Sequence, residues 1–182
     1  YSDETARYYK QMNRFSAALA LMSDVAMGTL GGYLKRRERI SARLGDILSM
    51  LYITSAVLKR YQDEGRQAQD LPLVQWACED NLARAQLALD ELFDNFPNRV
   101  IGIVLKRIVF PFGRTLRKPS DKLDHQVSRI MMTPCEARNR LGKHLYLTVE
   151  PGNQLGRVEQ ALLDVLAAEP LFDKVSKASG KR

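Results

Sequence analysis

The chain has 182 residues, 45% apolar and 27% charged, enough for one ordinary domain that needs no metal or disulfide staple. Its two cysteines, Cys78 and Cys135, have neither zinc-site nor disulfide-framework spacing, which suits a reducing, cytoplasmic compartment. No signal-peptide pattern and no run of about 18 apolar residues is read, so no membrane-spanning helix is expected, and a start at Tyr1 instead of Met points to part of a longer protein.

In chain order, Phe15, Ala18, Leu19, Met22, Val25, Ala26 and Leu30 recur at steps of three and four, which predicts a first helix from about Ser2 to Leu30. Ser2 and Thr5 are candidates to open it, and Gly31 with Gly32 to close it. A second helix is expected from Leu34 to Glu64, with Leu44, Ile47, Leu48, Leu51, Ser55 and Leu58 as its stripe and Gly65 as its stop. Asp70 and Pro72 announce a third helix, whose stripe is Val74, Cys78, Leu82, Ala85, Leu89, Leu92 and Phe96, ended by Pro97.

A shorter helix is expected over 98–110. A basic connector runs from Arg114 to Pro119, and Ser120 with Asp121 opens the next helix. Thr133, Pro134 and Glu136 read as the cap, first-turn proline and capping-box acid of another. The final helix is expected over 155–168, with Val158, Ala161, Leu162, Val165 and Leu166 inward and Pro170 as its break; residues 176–182 form a frayed basic tail. The pattern predicts an all-α fold, with residues 1–182 as a single domain: an up-and-down bundle of three long helices followed by shorter C-terminal ones.

Constellations for catalysis are sparse. Of the two histidines, His125 stands near Ser120 and Asp124, yet Ser120 with Asp121 sits where a helix cap belongs, and the adjacent Asp124 and His125 would point away from each other on a helix. Gly28, Gly31 and Gly32 follow a helix and not a strand, unlike a dinucleotide fingerprint. The sequence therefore offers no catalytic, cofactor-binding or metal residue.

Charge is more informative. The net +7 is concentrated between Asp94 and Asp121, where Arg99, Lys106, Arg107, Arg114, Arg117 and Lys118 stand without any acid. They interleave with apolar residues including Phe110 and Phe112. One reading is a buried helix with a basic rim. A second is a segment lying in an anionic membrane surface, and a third is a patch for a protein partner. A second basic run, Lys35, Arg36, Arg37, Arg39 and Arg43, suits contact with an acidic neighbouring domain better than nucleic acid.

A series of motifs then carries a family resemblance. Leu30-Gly31-Gly32-Tyr33-Leu34-Lys35-Arg36-Arg37-Glu38 is followed by Ser41-Ala42-Arg43-Leu44-Gly45-Asp46. Asn95-Phe96-Pro97-Asn98-Arg99, Val109-Phe110-Pro111-Phe112-Gly113, Leu155-Gly156-Arg157-Val158-Glu159 and Ala167-Ala168-Glu169-Pro170 come after in order. Together they resemble the C-terminal domain of bacterial FadE-type, long-chain acyl-CoA dehydrogenases, over about residues 15–170. The resemblance implies a parent flavoprotein of fatty-acid β-oxidation, converting acyl-CoA to trans-2-enoyl-CoA, whose FAD and catalytic glutamate lie upstream of this segment. It implies the catalytic core of the same chain as partner, a homo-oligomer, and a cytoplasmic location, peripheral at the inner membrane where the basic segment meets lipid. No family catalytic residue maps onto this chain.

Overall fold

A computed structural model of the chain describes residues 4–180. All regular structure among them is helical: α1 (Ala6–Leu30), α2 (Glu38–Asp63), α3 (Leu71–Asp94), α4 (Arg99–Val109), α5 (Asp121–Met132), α6 (Glu136–Gly142) and α7 (Gln154–Ala178), with 3₁₀ turns at Gly31–Arg36 and Ala68–Asp70. The all-α expectation holds. The chain divides into two compact units, the first ending at Val127 and the second starting at Ser128.

The first unit is the bundle. Arg43, early in α2, reaches Glu91, late in α3, whereas Arg7 at the start of α1 reaches Glu79 in the first half of α3. The three long helices therefore run up, down and up, as their short connections require. The core is built from the predicted stripes: Phe15, Met22, Ile47, Leu58, Cys78, Leu89 and Leu92 are fully buried. One correction falls in α2, where Leu48 is exposed and Thr54 is fully buried. Thr54 fits the apolar interior because its hydroxyl donates to the Met50 carbonyl at 2.7 Å, leaving its methyl outward from the helix.

By length and composition alone, the helical stretches 6–36 and 38–63 are apolar enough to cross a membrane, a test that the core helices of a bundle also pass. Their stripes supply the bundle core here. At the end of α2, Gly65 takes φ 78°, and the Arg66 amide donates to the Tyr61 carbonyl at 2.9 Å to close the helix.

Several boundaries differ from the sequence reading. Ser2 lies outside the described residues, and Thr5 and Asp70 stand at the N-caps of α1 and α3 without a side-chain capping bond. The second helix starts at Glu38 because the glycine pair leads into a 3₁₀ turn first. α6 starts at Glu136 with extended Cys135 as its cap, so Thr133 and Pro134 precede the helix.

The second unit differs most. α7 runs through Pro170 to Ala178. The proline removes one backbone donor, but its flanking Ala167, Ala168, Glu169 and Leu171 are strong helix formers. The expected tail is helical over 176–178, and Lys181 and Arg182 lie outside the described residues. Of the residues expected inward on α7, Val158, Ala161 and Val165 are exposed and only Leu162 and Leu166 are half-buried. This unit is tied internally by Arg138, whose guanidinium grips Glu159 of α7 through two hydrogen bonds, at 2.7 and 2.5 Å, and donates to the Met131 carbonyl at 2.9 Å.

Candidate interaction surfaces

The apolar-basic segment singled out from sequence becomes α4 and the connector after it. Asn98 caps α4 by accepting from the Val100 and Ile101 amides at 3.0 and 3.2 Å. One face of α4 is bound into the bundle: Gly102, Leu105 and Val109 are buried. Gly102 is required there, because a Cβ would stand 2.4 Å from the Phe93 carbonyl oxygen. The helix ends against Arg14, which donates to the Val109 carbonyl at 2.6 Å and lies 5.9 Å from the Phe110 ring.

Phe110 is consequently a core residue and not part of a surface patch. Its ring meets Phe93 edge-on at 5.7 Å and Phe15 at 6.5 Å, and is 4% exposed. Lys106 is also engaged, with Nζ 2.8 Å from carboxylate oxygens of both Asp90 and Asp94. Those two carboxylates, Asp90 foremost, raise the lysine's pKa and keep it charged. Arg114 stands 3.6 Å from Asp90 on the same acidic pair's flank.

What remains outward is the opposite face of α4. Val100, Ile103, Val104 and Ile108 are exposed at helical spacing, beside Arg99 and Arg107, and Phe112 just beyond is 91% exposed. α4 is thus apolar on both sides, and only its inner side is buried among the described residues. A single contiguous stripe of this kind marks an interaction surface more than a chance scatter of surface residues does.

The second basic run lies around the start of α2. Arg36, Arg37, Arg39 and Arg43 line a cleft of 370 Å³ with Asn95, while Lys35 is exposed beside them. Within it Arg43 pairs with Glu91 at 3.2 Å, not with Asp46 three residues on, and Arg36 lies 5.8 Å from the Tyr33 ring.

The second unit presents a further apolar surface. Along α7, Leu155, Val158, Val165, Leu171, Phe172 and Val175 are exposed, whereas Gly156 is buried. A groove of 550 Å³ between Arg129, Met132, Leu162, Leu166 and Phe172 lies within this unit.

Groups with chemical potential are occupied structurally. Asp124 accepts from the Trp76 indole at 2.5 Å, and Ser120 Oγ accepts from the Leu123 amide at 3.3 Å. Cys78 is buried and its thiol is pushed up to about 12, chiefly by burial, which leaves it protonated and unreactive. Among the described residues, no three of His, Cys, Asp and Glu stand together as metal ligands. Sequence reasoning passed over Arg14, Tyr8 and Gln86. The signal for Gln86 was its place on the buried side of α3, between Leu82 and Leu89.

These features define an all-α domain with a packed three-helix bundle and exposed apolar surfaces on α4 and α7. The chain belongs to the family described as acyl-CoA dehydrogenase, C-terminal, bacterial type, whose model matches residues 1–182. No solved structure matches the chain. The two most closely packed glycines face carbonyl oxygens: a Cβ on Gly102 would stand 2.4 Å from that of Phe93, and one on Gly156 2.2 Å from that of Thr148.

Proposed function

We propose that this chain is the non-catalytic C-terminal structural and interaction domain of an FAD-dependent acyl-CoA dehydrogenase of fatty-acid β-oxidation. The parent would convert acyl-CoA to trans-2-enoyl-CoA, with FAD and the catalytic glutamate supplied by the core of the same polypeptide. The observation that carries this reading is the outward stripe of α4, in a chain of this family: Val100, Ile103, Val104 and Ile108 stand ready to be covered. Covering it on the catalytic core, in a cytoplasmic homo-oligomer, would remove apolar area from water at about 25 cal/mol per Å². The arginines at the start of α2 suit an acidic surface of that core.

Co-expression of this chain with the separately encoded catalytic core tests the proposal. The two should co-purify, and Ile103→Glu with Ile108→Glu should weaken the complex by about tenfold or more while helix content is unchanged. Flavin absorbance and dehydrogenase turnover from this chain alone would refute the non-catalytic role.

Phe112, with Arg99 and Arg107 nearby, favours a second reading in which the same face rests on an anionic membrane. Co-sedimentation with anionic vesicles should then fall with salt and be lost in Arg99→Glu with Arg107→Glu. Lys106 is a poor site for that test because Asp90 and Asp94 already hold it.

A further inference from the structure

The connector between α4 and α5 has no helical structure over 114–119, yet side-chain hydrogen bonds from α3 hold it. Gln86 of α3, 4% exposed, accepts from the Thr115 and Leu116 amides, both at 3.0 Å. Its side-chain nitrogen donates to the Leu116 carbonyl at 3.0 Å. Three bonds from one buried amide fix this extended strip against α3, and breaking them would leave the Gln86 amide unpaired in the interior.

The strip delivers Arg117 and Lys118 to a cavity of 340 Å³, whose other walls include Arg7, Tyr8 and Gln11 of α1 and Glu79 of α3. That volume falls within the small-molecule range. Glu79 is the carboxylate of the lining, and it is taken by Arg7 at 2.7 Å and by the Tyr8 hydroxyl at 3.1 Å. Among the described residues, Arg117 and Lys118 have no carboxylate partner. Ser120 brings the positive end of α5 to the same rim. Asp121 and Asp124 follow in that first turn without lining the cavity, and Asp124 is bonded to Trp76.

Leu82 and Leu116 add an apolar wall to the cavity.

We propose that this cavity binds a small phosphate ester: Arg117 and Lys118 hold the phosphate oxygens, and the rest of the ligand lies along Leu82 and Leu116. The two cations form charge-assisted bonds to the phosphate, and the apolar wall takes a ring or chain. The site belongs to the bundle alone and does not depend on the role proposed above.

Calorimetric titration of the purified protein with adenosine diphosphate and with inorganic phosphate tests this. Vesicles of phosphatidylcholine, with and without phosphatidic acid, are run in parallel. Saturable binding of adenosine diphosphate is expected, and Arg117→Ala with Lys118→Ala should weaken it about tenfold or more, as loss of charged hydrogen bonds implies. Both side chains are exposed, so circular dichroism should show an unchanged fold. Binding only to phosphatidic acid vesicles, lost in the double variant, would support the site with a lipid headgroup as the phosphate source. Failure of every probe to saturate, or equal affinity in the double variant, would overturn the proposal.

Discussion

The two units of this chain use apolar residues in opposite ways. In the first, Phe15, Met22, Ile47, Leu58, Leu89 and Leu92 are taken fully out of water by three helices that face one another. In the second, α7 is as long as α1 and carries nine leucine, valine and phenylalanine residues against five, yet Val158, Val165, Leu171, Phe172 and Val175 stay in solvent. Helical propensity alone can write a 25-residue helix, but burial decides whether it stabilises the fold. The first unit holds a packed core; the second, together with the outer face of α4, leaves its apolar residues exposed.

The largest effect that would break this comparison is in the aromatic cluster. Phe15→Ala should cost about 3–5 kcal/mol in urea unfolding, because the cavity lies against Phe110 and the wall cannot collapse onto it. Phe172→Ala, at a site 73% exposed, should change stability by less than about 0.5 kcal/mol. Comparable losses from both would mean that α7 is as well packed as α1.

Gly102→Ala comes next. Its methyl must push the Phe93 carbonyl away, so a loss of about 1–3 kcal/mol is expected, read as a lower urea midpoint. Asn98→Ala removes the cap of α4 and should cost about 1 kcal/mol. Together these two variants measure how firmly the inner face of α4 is held while its outer face is free.

The smallest effect belongs to the second unit. Arg138 holds the Glu159 carboxyl below the usual carboxylate range through its hydrogen bonds. A carboxyl with a lower folded than unfolded pKa binds fewer protons when folded. Its contribution is therefore complete above the unfolded value, about 4.3, and is lost as pH falls through the folded value. Acid titration followed by circular dichroism should show a small helix loss below that point, absent in Glu159→Gln.

The bundle was legible because three- and four-residue steps repeat over several turns, so the α3 stripe from Val74 to Phe96 could be read without error. Thr54 escaped because its hydroxyl marks it as polar, although a helix can absorb that hydroxyl on its own backbone. Val158 and Val165 were assigned inward on periodicity, which gives the face of a helix but not whether anything covers it. The same limit applied to Phe110 and Phe112. Both look alike in sequence, and only the C-terminal turn of α4, locked by Arg14, sends one into the core and leaves the other in solvent. The family was carried by motif order, whereas the cavity near Gln11 depends on a buried glutamine whose partners lie about thirty residues away.

Hydrogen–deuterium exchange of the domain, with and without its catalytic core, tests the account most directly. Amides near Val100, Ile103, Val104 and Ile108, and along α7, should gain protection when the core is present, while α1 to α3 are already protected without it. Unchanged exchange over α4 and α7, or protection gained only inside the three-helix core, would contradict the division between a finished bundle and surfaces made for a partner.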